Sequence, residues 1–432
     1  MSGHVTRMFC TVAAGFALTA SGLATGCSAG AGAGTAGAGT AAAAGTTGTG
    51  TAGARTAAAA GTAGTGSAGT GAAAAAGTGT AGTVRPSLSG RTAQSAITCC
   101  DVSAVAATSA GNAWAVGRGG GPQTAFLLHW NGTAWTRVPS PNPGTARDLA
   151  GVAVVSAGDA WAVGYTSSRA GKDAPLILHW NGTTWKQVPS PDLSVSSVLS
   201  AVAATSADDA WAVGTTGTGH PTCGGCNTLI LHWNGTTWKR VPGPDLRDGS
   251  GLDGVAATSA GNAWAVGYTP GLAGSTLILH WNGTTWTRAP SPSLGHASYI
   301  TLAGVAAASA RSAWAVGLSG DSTLILHWNG TTWTRVPSPS SPSGGILAAV
   351  AATSARSAWA VGATDSGNTL ILHWNGTTWE QQRSPNPTPG HGEYLTGVAA
   401  ASARNAWAVG YAGGGMYSLI VHWNGVSWST MT

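Results

Sequence analysis

The pentapeptide Ala-Trp-Ala-Val-Gly returns seven times along this chain, with its Trp at Trp114, Trp161, Trp211, Trp264, Trp314, Trp359 and Trp407, at intervals of 45 to 53 residues. A period in that range restricts the chain to architectures made of equivalent units that bury their faces against one another. After each copy comes a segment of the type Leu-Ile-Leu-His-Trp-Asn-Gly-Thr-Thr-Trp. It supplies a second Trp at Trp130, Trp180, Trp233, Trp281, Trp328, Trp374 and Trp423, and a third at Trp135, Trp185, Trp238, Trp286, Trp333, Trp379 and Trp428. Three Trp in each of seven repeats account for all 21 Trp of the chain, so the aromatic excess belongs to the scaffold.

One repeat divides into four short strands. In the fourth copy, Gly254–Ser259 is small and β-compatible, and Ala263–Gly267 sets Trp and Val on one face against Ala on the other. Leu277–Trp281 places Leu277, Leu279 and Trp281 on one face and Ile278 and His280 on the other, and Thr285–Ala289 is the fourth strand. Asn282-Gly283 predicts a two-residue type I′ hairpin turn, and Pro290 and Pro292 end the sheet. Four antiparallel strands in about 48 residues make a propeller blade. The fold class expected is therefore all-β: a seven-bladed β-propeller of four-stranded antiparallel blades over residues 99–432, with small residues nearest the axis and the Trp of one blade over the Ala of the next.

The Ala-Trp-Ala-Val-Gly strand, a loop, and the Trp strand ending in Val-Pro-Ser-Pro resemble the kelch repeat. They are also similar to Trp-rich propeller repeats of exported actinobacterial proteins. The likeness covers Asp101 to Thr432 and departs from kelch in two ways: Gly164 is followed by Tyr165 rather than a second Gly, and Trp281-Asn282 stands in place of Tyr-Asp. Trp-Asn-Gly-Thr-Thr-Trp is also similar to the Asp-box of sialidases, but Asn282 to Trp286 is one residue short. The resemblance implies architecture, and a shared fold does not license an activity.

The N-terminal part is of another kind. Arg7 followed by the apolar stretch 8–22 reads as an export signal, too short for a membrane span. It ends in Leu23-Ala24-Thr25-Gly26-Cys27, which resembles the bacterial lipobox and implies lipidation of Cys27. Residues 1–27 are thus expected to be a signal peptide with a lipobox Cys. Residues 28–98 are expected to be a disordered spacer, since they are rich in Ala, Gly and Thr, lack hydrophobic periodicity, and have little apolar bulk to offset ordering entropy. The resulting location is exported: lipid-anchored on the outer face of the cell membrane, or secreted. Arg7, Arg55, Arg85 and Arg91 precede the repeats, and from Asp101 onward 15 basic residues face 14 acidic ones. Nucleic-acid binding, which needs a clustered basic surface, is not supported.

Candidate chemistry is sparse. Seven His, at His129, His179, His232, His280, His327, His373 and His422, occupy one strand position per repeat, and a structural bond to a neighbouring blade or turn is expected of them. Six Asn-Gly-Thr sequons are accounted for by the hairpin. Cys99 and Cys100 adjoin the first blade, and Cys223-Gly-Gly-Cys226 lies in a long loop near His220. In an exported chain a local Cys223–Cys226 disulfide is expected, with free thiols, other pairing or a metal as alternatives. No catalytic residues, metal or cofactor are assigned: the repeats hold no Gly-x-Ser-x-Gly, and His-Glu-x-x-His is absent from the sequence.

The repeats differ mainly in the loop after Ala-Trp-Ala-Val-Gly and in the connection after Val-Pro-Ser-Pro, both expected on one face. All six Tyr fall there, as do the similar segments Gly295-His296-Ala297-Ser298-Tyr299 and Gly390-His391-Gly392-Glu393-Tyr394. Tyr299, Tyr394, His296, His391, Glu393, Tyr268 and Tyr417 are the candidate binding residues, having apolar bodies and polar tips or charge. The plainer account is that these loops vary because nothing constrains them. The function expected is a monomeric interaction module for an extracellular protein or polysaccharide, touching the membrane through its lipid only. Alternatives are a lectin-like glycan binder, and a propeller hydrolase, lyase or oxidase with its site at the central mouth.

Overall fold

The computed structural model describes residues 100–431 apart from 120–124, 142–145, 169–170, 218–225, 247–248, 271–274, 296, 298, 340–343, 389–390 and 416. Seven antiparallel sheets of four strands span 101–137, 146–187, 197–240, 251–288, 300–335, 345–381 and 394–430. Strands lie in chain order within each sheet, so every blade is one uninterrupted stretch of chain. The inner strands of successive blades adjoin around the ring, and the last adjoins the first. The expected seven-bladed propeller is the fold.

Seams between blades hold the core. Trp264 and Val266 of blade 4, with Ile278, pack on Ala313, Ala315, Leu324 and Leu326 of blade 5. On the other side of the same sheet, Ala263, Ala265, Leu277 and Leu279 receive Trp211 and Val213 of blade 3. The alternation read along the strands thus assigns each residue to a seam. Trp264 stacks on His280 of its own blade at 4.2 Å and meets Trp328 and Trp333 of the next at 4.9 and 5.1 Å, the last nearly perpendicular at 89°. Burying about 150–250 Å² of Trp surface at roughly 25 cal/mol per Å² stabilises each seam by several kcal/mol. The Nε1 of Trp264 has no conventional acceptor among the described residues. The near-perpendicular packing sets the edge of one indole against the face of the other, the arrangement that aromatic quadrupoles favour.

The ring closes by the same packing. Trp407 of blade 7 meets Trp130 and Trp135 of blade 1 at 4.9 and 5.1 Å. Thr396 Oγ1 donates to Val102 O at 2.7 Å across this seam, and Ser418 Oγ donates to Cys100 O. No strand is exchanged between the first and last blades.

One local expectation is corrected and one is resolved. Trp281 pairs with Trp286, which leaves a four-residue loop and not a two-residue turn. Asn282 Oδ1 organises that loop, accepting from Thr284 N at 3.0 Å, Thr284 Oγ1 at 2.9 Å and Thr285 N at 2.9 Å, while Gly283 takes the left-handed conformation at φ +95°. Of the two partners expected for the His, a neighbouring blade or a turn, the contact made is the second, to the residue that closes the turn between the first two strands of the same blade. His280 Nε2 lies 2.8 Å from Asn262 Oδ1, the first residue of its own blade's second strand. His179 and His232 meet Asp159 and Asp209 in the same way at 2.8 and 2.7 Å.

Candidate functional site

The strands of blade 4 are Gly251–Ser259, Asn262–Thr269, Ser275–Trp281 and Trp286–Arg288, so the inner pair extends beyond the expected segments at one end. A β-bulge explains the extension. Leu252 pairs with Gly267 and Gly254 with Val266, leaving Asp253 as an extra residue. A bulge at this level recurs in the other inner strands. It fits because the facing residue is Gly: a Cβ on Gly267 would stand 2.1 Å from Gly251 O. Bulges bend a strand and re-aim the side chains beyond them.

Just beyond the layer of Leu252–Gly267 and its equivalents, the next register-matched pair differs in every blade. The pairs are Asp101–Arg118, Asp148–Tyr165, Val198–Thr215, Gly251–Tyr268, Thr301–Leu318, Ile346–Ala363 and Tyr394–Tyr411. They sit at the end where both variable segments emerge. Those segments bond one another: Gly320 N donates to Tyr299 O at 2.8 Å, Glu393 N to Gly367 O at 2.9 Å, and Gly414 N to Gly392 O at 3.1 Å. The expected common face for both sets of loops is therefore what the chain forms.

The face has two kinds of sector. In blades 5 to 7, Leu318, Ile346, Ala363 and Tyr394 form a buried apolar cluster with Tyr411 against it, the two Tyr rings stacked at 5.7 Å. Blades 1 and 2 are polar. Arg118 lies 3.3 Å from Asp101 Oδ2, a part-exposed pair of small energetic weight. Asp148 is 4% exposed, and its Oδ1 has no hydrogen-bond partner among the described residues. Burial pushes its carboxyl up to about 7, against the pull of Arg118 and with the push of Asp101. Burial, with Asp148 nearby, likewise raises the Tyr165 phenol.

In blade 4 the missing side chain of Gly251 makes room for Tyr268, since a Cβ there would meet the ring and hydroxyl at 2.6 Å. Burial raises the Tyr268 phenol, with further upward pushes from Asp253 and Tyr299. Asp253 itself is half-buried on the inner strand, and burial pushes it from 3.8 to about 7. A carboxyl whose folded pKa is raised contributes stability that is full below 3.8 and is lost as pH rises through about 7. His129, His280, His327, His373 and His422 run the other way: burial lowers them from 6.5, so their contribution is full above 6.5 and is lost as pH falls. Asp253→Asn is therefore expected to raise the melting temperature at pH 8, with the gain shrinking toward pH 5. An equal gain at both pH values would show that the carboxyl is not held protonated.

The candidate binding residues separate by exposure. Tyr299 and Tyr417 are 43% and 46% exposed. His391 is exposed, and Tyr268 is half-buried. Tyr394 and Glu393, 5% and 0% exposed, do not offer contact surface. Tyr394 is drawn into the apolar cluster. Glu393 Oε1 caps the loop by accepting from Thr388 N and from Thr388 Oγ1, the latter at 2.9 Å. His296 lies outside the described residues, as do Cys27, Cys99 and Cys223. Cys226 is disulfide-bonded, and Cys100 is buried. Among the described residues no group of three His, Cys, Asp or Glu could hold a metal ion. An open groove of about 520 Å³ is lined by Thr276, Arg288, Pro290, Pro292, Leu294 and Ile300 among others. The seven variable pairs escaped sequence reading, although the residue after each Ala-Trp-Ala-Val-Gly carried the signal.

No family model matches the chain, and no curated protein matches it. Solved structures similar to it include YCF48 bound to D1 peptide, at 16% identity and a TM-score of 0.49, covering 73% of this chain and 91% of that one. YCF48 from Cyanidioschyzon merolae is similar at 16% identity and a TM-score of 0.47, covering 75% and 95%. The Aleuria aurantia lectin in complex with Fucalpha1-6GlcNAc is similar at 14% identity and a TM-score of 0.44, covering 65% and 94%. Likenesses at this level leave ligand and activity open.

Proposed function

We propose that this protein is a binding scaffold displayed outside the cell, whose variable face takes a protein or polysaccharide partner. The supporting observation is confinement. Above a layer that is Leu–Gly in six blades and Val–Gly in the first, seven equivalent pairs and the loops beyond them all differ and share one face. The opposite face repeats one turn and one loop seven times and departs from them mainly in charge. Tyr299 and Tyr417 offer the contact groups, and the groove lined by Leu294 and Ile300 offers depth.

The export signal, the lipobox ending in Cys27 and the spacer 28–98 support a lipid-anchored placement, with the propeller held clear of the membrane. The repeat is read as kelch-like in strand order only. Full-length protein presented with cell-wall polysaccharides and surface extract is expected to capture a partner, with capture at least tenfold weaker for Tyr299→Ala/Tyr417→Ala. Capture that ignores both substitutions would remove the variable face from the account. Detergent partitioning of the same preparations tests the anchor: Cys27→Ala is expected to move the protein to the aqueous phase, and identical partitioning would refute lipidation.

A further inference from the structure

We infer that the face opposite the variable rim carries a second binding site, an arc of three guanidinium groups that takes a linear polyanion bearing phosphate or carboxylate groups. Each blade passes from its inner to its second strand on this face through a two-residue turn that begins with Ala. The second residue is Gly in blades 1, 2 and 4 (Gly111, Gly158, Gly261) and Asp208 in blade 3. In blades 5, 6 and 7 it is Arg311, Arg356 and Arg404. Three successive blades thus present Arg at one structural position, and all three are exposed.

The turn itself does not call for the charge. Arg311 N, Arg356 N and Arg404 N each donate to the Ser Oγ two residues back at 3.2 Å, and Gly111 N and Gly158 N make the same bond at the same length. The Arg side chains run alongside the Asn-Gly loop of their own blade. A Cβ on Gly330 would stand 3.4 Å from Arg311 Cβ and 3.5 Å from its Nε, one on Gly376 3.4 Å from Arg356 Cβ, and one on Gly425 3.2 Å from Arg404 Cβ. The contact repeats from blade to blade, so the three charges are presented alike. Among the ion pairs of the described residues none involves these guanidiniums. Glu380, on the outer strand of blade 6, bonds Asn375 Nδ2 at 2.6 Å instead.

The surroundings select the partner. The loops between the Arg are Asn, Thr and Ser, and the exposed large apolar residue among them is Val426 alone within the described residues. A hydrated face of this kind suits a hydrated polymer and not insertion into lipid. One charge per blade along an arc matches a repeated anion, and each planar guanidinium can take two oxygens of a phosphate or carboxylate.

The test titrates full-length protein with polyphosphate and with poly-L-glutamate at 50 and 200 mM salt. The variant Arg311→Gly/Arg356→Gly/Arg404→Gly installs the residue that blades 1, 2 and 4 already carry, so the turn is retained, and unchanged melting confirms it. Wild type is expected to bind at least one polymer, with affinity falling about 20-fold between the two salt concentrations for three contacts to a single-chain polyanion. The triple variant is expected to bind at least tenfold more weakly with a flatter salt dependence, while Tyr299→Ala/Tyr417→Ala and Arg335→Ala, at an exposed Arg on the outer strand of blade 5, bind as wild type. Which polymer binds tells phosphate from carboxylate. Absence of binding by wild type, equal binding by the triple variant, or binding to anionic phosphatidylglycerol vesicles in place of both polymers would overturn the inference. Failure here leaves the variable-face reading standing, since the Tyr and Arg variants separate the two faces.

Discussion

Trp407→Ala is expected to destabilise the protein by about 3–5 kcal/mol, the usual cost of deleting a fully buried Trp side chain. Trp407 is 0% exposed and holds Trp130 and Trp135 at the one seam that no chain segment spans. The comparison is Trp264→Ala, which empties an equivalent seam between blades 4 and 5 that is spanned by the connection 289–299. Urea unfolding should give similar losses for the two variants, because the lost contacts are of the same kind. Hydrogen exchange should tell them apart. In Trp407→Ala the inner strands of blades 1 and 7 should exchange faster than the rest of the ring, since local opening there stretches no covalent link. A loss below about 1 kcal/mol for Trp407→Ala would mean that closure rests elsewhere, and cavity energetics would then not describe this ring.

Gly317→Ala should be nearly as damaging although it adds only a methyl group. Its Cβ would stand 2.1 Å from Thr301 O, a backbone atom that cannot rotate away, and the equivalent glycines face inner-strand carbonyls at 1.9–2.1 Å. Relief requires moving the inner strand and its bulge, so a loss of roughly 1–3 kcal/mol or more is expected. Gly261→Ala is the control: the nearest atom to its Cβ is Ser259 Oγ at 4.0 Å, and its effect should stay within about 0.5 kcal/mol. Equal unfolding midpoints for the two variants would show that the close approach at Gly317 is relieved at no cost.

Much of this ring was legible in the order of residues alone. Period-2 alternation assigned Leu277 and Leu279 to one seam and Ile278 to the other, and the contacts agree. The same rule failed at Leu252, because the extra residue Asp253 breaks the alternation and hides where the inner strand begins. The variable pairs lie just past that break and read as loop. Burial within irregular segments was equally hidden. His391 and Glu393 stand two residues apart, yet one is exposed and the other is held inside by Thr388, a choice made by tertiary contacts and not by residue type. Arg311, Arg356 and Arg404 lie 45 and 48 residues apart in the chain, and only the ring sets them on neighbouring blades.

The coincidence of blade and repeat has a consequence for inheritance. Each blade is one unbroken stretch of chain, and its ends fall in connections rather than within a sheet. A misaligned exchange between two gene copies of the repeat therefore removes or adds a complete blade, with its rim pair above and its turn residue below. The unit in which such a molecule is rewritten is the whole blade, so both of its faces change together.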